Sequence, residues 1–284
     1  MVQSPDRRRP ELALGEPVTE EFVGDWDLTR WPRLGRWLEL LAFRASHYAS
    51  AHAVLMISSA VGAILVLGLT ALSAEIYQDV KNADGLSTLD VPVLDLAVNL
   101  RTPTNVAVVQ FFTNLGAALE LTIITAVIVS IMMVRWRSWT PLILLLIGVS
   151  GSLLMTVAGK NLVGRARPPE AYAVPPYESS PSFPSGHTLN STVIASLVAY
   201  LLLLHLTSRF ARVLSVVCAV LWFVAMGLSR VFLGYHWLTD VIVGWTLGLA
   251  WVALVITSHR LFLTVRRERR EQSARTDLGK TAPQ

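Results

Sequence analysis

One cysteine, Cys218, is all that the 284 residues hold, so no disulfide can close within the chain and no thiolate metal site can be built. Charge is scarce as well. Asp, Glu, Lys and Arg make up 15% of the chain against 53% hydrophobic residues, whereas a soluble domain carries about 25% charged. That deficit excludes an ordinary solvated surface, unless one core could absorb several apolar runs of about 20 residues, the length that crosses about 30 Å of hydrocarbon. The first 50 residues lack a short apolar region followed by a small-residue cleavage site. No removable signal peptide is therefore expected, and the first apolar span becomes the insertion signal.

What the chain does have is long apolar runs. Six spans are expected, at roughly 53–74, 115–134, 139–158, 188–206, 213–228 and 238–257, each long enough to cross a bilayer, the fifth being the shortest. Residues 1–25 are polar, with an arginine run at Arg7–Arg9, and nothing in them is periodic enough to bury. From Trp26 the pattern changes: Trp31, Leu34, Leu38, Leu41 and Ala45 recur at helical spacing, with Arg30, Arg33, Arg36 and Arg44 largely elsewhere. This pattern predicts a basic amphipathic helix in the headgroup region. Between the first two spans, Asp90 followed by Pro92 marks a helix start, and Leu89, Val93, Leu96, Ala97 and Leu100 suggest a second interfacial helix. The expected class is all-α, an integral membrane bundle of six transmembrane helices with an N-terminal interfacial amphipathic helix. Its expected organisation is a cytoplasmic tail with that helix (1–50), a six-span domain (51–260) and a basic cytoplasmic tail (261–284).

The net charge of +4 is a matter of topology. With the N-terminus inside, eighteen Lys and Arg fall on the cytoplasmic side and six on the other, which predicts both termini in the cytoplasm and leaves no reason to expect nucleic-acid binding. The minority is concentrated. Lys160, Arg165, Arg167 and Arg230 lie in three pieces, KNLVGRARP, PSFPSGHT and SRVFLGYHWLTD, which all fall at the same extracytoplasmic ends of the spans.

Cations at a membrane edge are costly to hold, and no cluster of Asp and Glu in the sequence matches this one. Phosphate would satisfy it, since guanidinium forks pair with phosphate oxygens and a lysine adds a point charge. Ser185 and Gly186 stand where a helix begins after Pro184, and helix N-terminal N–H groups bind anions, with glycine allowing close approach. Of the six histidines only His187 and His236 reach this face; His47, His52, His205 and His259 lie at or near the other. His236 and Asp240 are four apart, so a helix would bring them together. A carboxylate on one ring nitrogen leaves the other free to attack, which makes His236 the better nucleophile. His187, without such a partner nearby in sequence, is the natural general acid.

These three pieces, with their complete spacing, resemble the signature motifs of the type 2 phosphatidic acid phosphatase superfamily, also called the lipid phosphate phosphatase and vanadium haloperoxidase superfamily. The match covers about 80 residues, and the six spans are similar to the membrane branch. The resemblance implies that Lys160, Arg167, Ser185, Gly186 and Arg230 hold phosphate. It implies His236 as the nucleophile of a phosphohistidine, Asp240 as its orienting partner, and His187 as acid and then base. It also implies no metal and no cofactor, in keeping with a sequence that offers no cluster of carboxylates for Mg²⁺. Arg165 matches no fixed motif position and is read as a headgroup contact or a surface charge.

The expected activity is removal of the terminal phosphate from a lipid phosphate or diphosphate at the outer leaflet of the inner (plasma) membrane. Polyprenyl diphosphate, phosphatidylglycerol phosphate and phosphatidic acid all fit. A lipid phosphotransferase with the same phosphohistidine, or a non-enzymatic lipid transporter or scaffold, are the alternatives. Glu120 could pair with a motif cation or be structural. Gly244 and Gly248 could mark a dimer face or close packing within the chain, and oligomeric state stays open.

Overall fold

The structure, a computed structural model, describes residues 51–281, with side chains from 56 to 267. The amphipathic helix expected at 26–45 and the side chains of Arg269 and Arg270 lie outside the described residues. Among the described residues, regular structure is helical throughout: α1 (Ala51–Asn82), a 3-10 turn (Gly85–Leu89), α2 (Asp90–Asn99), α3 (Pro103–Asn114), α4 (Ala118–Trp136), α5 (Thr140–Val163), a 3-10 turn (Glu170–Tyr172), α6 (Gly186–Leu203), α7 (Arg209–Phe232) and α8 (Leu238–Thr281). Six of them, α1 and α4 to α8, are long and apolar enough to cross a membrane. The fifth span, expected at 213–228, is longer and starts where Ser208 caps it through the Ala211 N–H.

The centre is α6. More than half of its apolar window, 56%, is buried, against 11% for α1. Leu189, Val193, Leu197 and Leu201 are fully enclosed by Leu144 and Leu145 of α5, Val129 and Met132 of α4, and Val252 and Val255 of α8. The α6–α8 approach is close because α8 presents glycine: a Cβ on Gly244 would lie 2.9 Å from Thr188 Cβ, and one on Gly248 the same distance from Thr192 Cβ. This GxxxG spacing is therefore spent on packing within the chain. Outward, Ile64, Leu67, Val134, Leu154 and Leu162 are each at least two-thirds exposed, a surface suited to lipid rather than water.

The segment between the first two spans differs from expectation. It holds two helices, the second started by Thr102, Pro103 and Asn105, whose side chains and backbone form a reciprocal cap. In α2, Asp90, Leu94 and Ala97 are buried while Leu89, Leu96 and Leu100 are exposed, so the expected apolar stripe is split between two faces. The inward face turns about Asp90 because that carboxylate is held from inside.

Candidate active site

The three pieces converge because the helices that carry them end there. α5 stops at Gly164, in the left-handed conformation with its N–H bonded to the Lys160 carbonyl at 3.1 Å. Lys160 is thereby left in the last turn, and Arg165 and Arg167 fall in the loop. Gly234 (φ +75) makes the turn between α7 and α8. A Cβ there would lie 2.2 Å from the Tyr172 carbonyl oxygen, so only glycine lets the loop after α5 lie on this turn. That loop is pinned by Val174 N–H to the Leu233 carbonyl (3.0 Å), Ser182 N–H to the Arg165 carbonyl (2.8 Å), and Arg101 donating to the Phe232 and Tyr172 carbonyls (2.8 and 2.7 Å).

His236 precedes α8 and Asp240 lies in its first turn, so a turn rather than a continuous helix brings them together. The His236 Nδ1 stands 3.4 Å from Asp240 Oδ2 and 3.3 Å from Ser182 Oγ. Ser182 donates a short bond to the same Asp240 oxygen, and the Trp237 N–H donates to it at 3.0 Å. With Nδ1 protonated toward this acceptor, Nε2 presents its lone pair on the other side, where Arg167 Nη1 lies at 3.3 Å. Burial pushes the His236 imidazole below its usual range, against the hydrogen bond and charge of Asp240. It is therefore neutral at pH 7, with its Nε2 lone pair free.

Arg165 is mostly buried and paired rather than a free surface charge. Its Nη1 donates to Asp240 Oδ1 (2.6 Å) and Thr239 Oγ1 (2.8 Å), and its Nη2 to Asp90 Oδ2 (2.7 Å). Asp90 also accepts from the Thr239 N–H and hydroxyl, at 2.8 and 2.7 Å. A guanidinium can bridge two carboxylates where a lysine could not. Asp240 is thus held from both oxygens, and α2 is tied to the motif end of the bundle through Asp90.

The cations face a carboxylate that sequence reasoning did not place. Glu178, in the loop before α6, pairs with Arg167 Nη2 at 2.7 Å and with Arg230 Nη2 through a short contact. Burial alone would push its carboxyl up, but Arg230 and Arg167 outweigh that and hold it at about 2. Arg167 further donates to the Ser180 and Tyr235 carbonyls, and Lys160 Nζ to Ser180 Oγ and the Pro181 carbonyl, both at 2.7 Å. Arg230 is 2% exposed, lies over the Tyr235 ring and donates to Thr113 Oγ1, yet its Nε is buried without a partner. Such a group asks for an anion.

His187 lies in the first turn of α6, within electrostatic reach of Arg230, Glu178, His236 and Arg167. It packs against Gly116, where a Cβ would approach His187 Cδ2 to 3.1 Å. Ser185 caps α6 and is fully buried. Its N–H is donated to the Asp240 carbonyl (3.2 Å) and its Oγ accepts from Thr188 (2.9 Å), so its hydroxyl proton is what it has to offer. Gly186 begins the helix, and an added Cβ there would come within 3.0 Å of Thr156 Cγ2. All eight motif residues therefore meet at one end of the bundle. Glu120 is exposed in the first turn of α4, and the carboxylate on the arginines is Glu178 instead.

Glu178, Ser182, Asp90 and Thr113 are the site residues that sequence reasoning missed. Ser182 lies inside the PSFPSGHT piece, and Asp90 in the sequence marks only a helix start. Glu178 carried the plainest signal, as one of two carboxylates, with Glu170, between the first two motif pieces.

Residues 139–262 match the PAP2 superfamily. Phosphatidylglycerophosphatase B of Bacillus subtilis is 34% identical over 176 residues, covering 61% of this chain and 85% of the relative. An undecaprenyl-diphosphatase of Sulfolobus acidocaldarius is 38% identical over 84 residues, 30% of this chain and 36% of that protein. A lipid A 1-phosphatase of Rhizobium johnstonii is 35% identical over 126 residues, 42% and 47%. A crystal structure of a transmembrane PAP2-type phosphatidylglycerolphosphate phosphatase from Bacillus subtilis superposes with a TM-score of 0.64 at 30% identity, covering 69% of this chain and 96% of that one.

Proposed function

This chain is a multi-pass membrane protein that belongs to the PAP2 superfamily, and from that premise we propose that it hydrolyses the terminal phosphate of a membrane lipid phosphate or diphosphate through a phosphohistidine. Its relatives act on lipid phosphates of both kinds. The observation that carries the mechanism is the orientation of His236, with Nδ1 against Asp240 and Nε2 facing the cations.

In this reading Lys160, Arg167 and Arg230, with Ser185 and Gly186 at the N-terminus of α6, hold the phosphate oxygens. Nε2 of His236 forms the N–P bond as the P–O bond to the lipid breaks, and His187 gives the departing oxygen its proton. His187 then takes a proton from water, whose oxygen displaces the histidine and releases inorganic phosphate. Asp240, held by Arg165 and Ser182, stabilises the charge that His236 acquires. Positioning and charge carry the rate, as phosphoryl transfer permits. In this reading the reaction needs no metal ion, and phosphate release is expected to proceed in excess EDTA.

The charge asymmetry of the connections supports both termini in the cytoplasm and the site on the extracytoplasmic face. A cysteine placed at Tyr177, an exposed position beside the site, should react with membrane-impermeant maleimide in intact cells. Labelling only after lysis contradicts this orientation. The activity itself is tested by phosphate release from phosphatidylglycerol phosphate, phosphatidic acid and polyprenyl diphosphate by the purified chain in EDTA. Free phosphate as the main product, with candidate acceptor alcohols present, distinguishes hydrolysis from transfer. Full activity in His236→Ala would overturn the mechanism.

A further inference from the structure

Glu178 holds the two arginines that the proposed mechanism assigns to phosphate. Its two oxygens are divided between them, Oε2 on Arg167 and Oε1 on Arg230, which is the spacing two oxygens of one phosphate would use. Its side chain is a third exposed, whereas Arg167 and Arg230 are 11% and 2% exposed. The arginines are thus fixed in place while the carboxylate can turn outward into water. Arg167 is further fixed by Ser180 and Tyr235, and Arg230 by Thr113.

We propose that Glu178 is an internal competitor seated on the phosphate donors, an anion that sets an affinity threshold which a doubly charged terminal phosphate passes and a singly charged phosphodiester headgroup does not. The inference rests on the phosphatase reading above. A bilayer surrounds such a site with phosphodiester lipids in great excess over any phosphomonoester, and a bare pair of guanidiniums beside a lysine would be occupied by them. A terminal phosphate carries nearly two charges at pH 7, a diester one. A carboxylate already seated on the same donors subtracts the same amount from the binding of either, so the weaker anion falls below useful affinity. The ratio of the two affinities stays with the contacts to phosphate; what Glu178 sets is the threshold of affinity below which an anion leaves the site unoccupied.

The test is binding of orthovanadate, and separately of dioleoyl phosphatidylglycerol in detergent micelles, to the purified full-length chain by calorimetry, with phosphate release measured in parallel. Glu178→Gln should bind orthovanadate tighter by on the order of tenfold, the worth of about one charge-assisted pair, and should acquire phosphatidylglycerol binding that the wild type lacks. Glu178→Asp, too short to reach both arginines, should fall between, and it also serves if the glutamine variant misfolds. Unchanged or weaker orthovanadate binding by both variants overturns the proposal, as does phosphatidylglycerol binding by the wild type equal to that of Glu178→Gln. A wild type that binds orthovanadate but releases phosphate from no lipid refutes the phosphatase reading and leaves the binding comparison to judge Glu178 separately.

Discussion

Helices α6 and α1 teach opposite lessons about burial. α6 is the least apolar of the six candidate spans and the most enclosed, while α1 is more apolar than α6 and the least enclosed of all. In water the ranking would be reversed, because apolar surface is driven inward. In a bilayer the surroundings are as apolar as leucine, so small and hydroxylated residues gain most from helix contact. Thr188, Ser191 and Thr192 are fully buried on α6, whereas Leu67 on α1 is 70% exposed. The polar interior of α6 also leads directly to the site, since Thr188 donates to Ser185 and His187 is the residue just before it.

This contrast is open to experiment. At the α6 end, His236→Ala should lower phosphate release by at least about a thousandfold, since a nucleophile acting as part of a unit has no substitute. Rates within tenfold of wild type would separate the site from the chemistry. Arg165→Ala leaves Asp90 and Asp240 facing each other without their cation. It should cost on the order of 10- to 100-fold in kcat with a smaller change in KM, as loss of a supporting partner does. An effect on KM alone would make Arg165 a substrate contact instead.

Gly248→Leu forces a side chain into a gap where Thr192 Cβ would lie 2.9 Å and the Leu189 carbonyl 3.3 Å from the new Cβ. A loss of about 1–3 kcal/mol, read as a lower melting temperature in detergent, is expected. The sign for His236 follows from its lowered pKa: the unfolded chain takes up a proton below about 6.5 that the folded site refuses. Stability should therefore fall as pH drops from there, and His236→Asn should remove that part of the slope. A slope of opposite sign would mean that the folded imidazole is charged. Smallest of all, Leu67→Ala on α1 should change stability by less than about 0.5 kcal/mol and leave activity intact. A large loss would place a protein partner, not lipid, against that face.

What the amino-acid sequence determined by itself was the list of spans and the members of the motif cluster. Hydrocarbon thickness demands about 20 apolar residues wherever a helix crosses, and rare polar groups at the ends of such runs stand out. The Lys160, Arg167, Ser185, Gly186, His187, Arg230, His236 and Asp240 set needed only spacing and a shared face to be read. The tertiary structure alone decided the partners. Arg165 meets Asp90 across 75 residues, a pairing without period or motif. Glu178 reaches Arg230 across 52, because the turn at Gly234 and the end of α5 at Gly164 bring the loop over the cluster. Local pattern records which face of a helix is polar. Which charge meets which is set by how helix ends and loops fold over one another, and that depends on contacts between residues far apart in the chain.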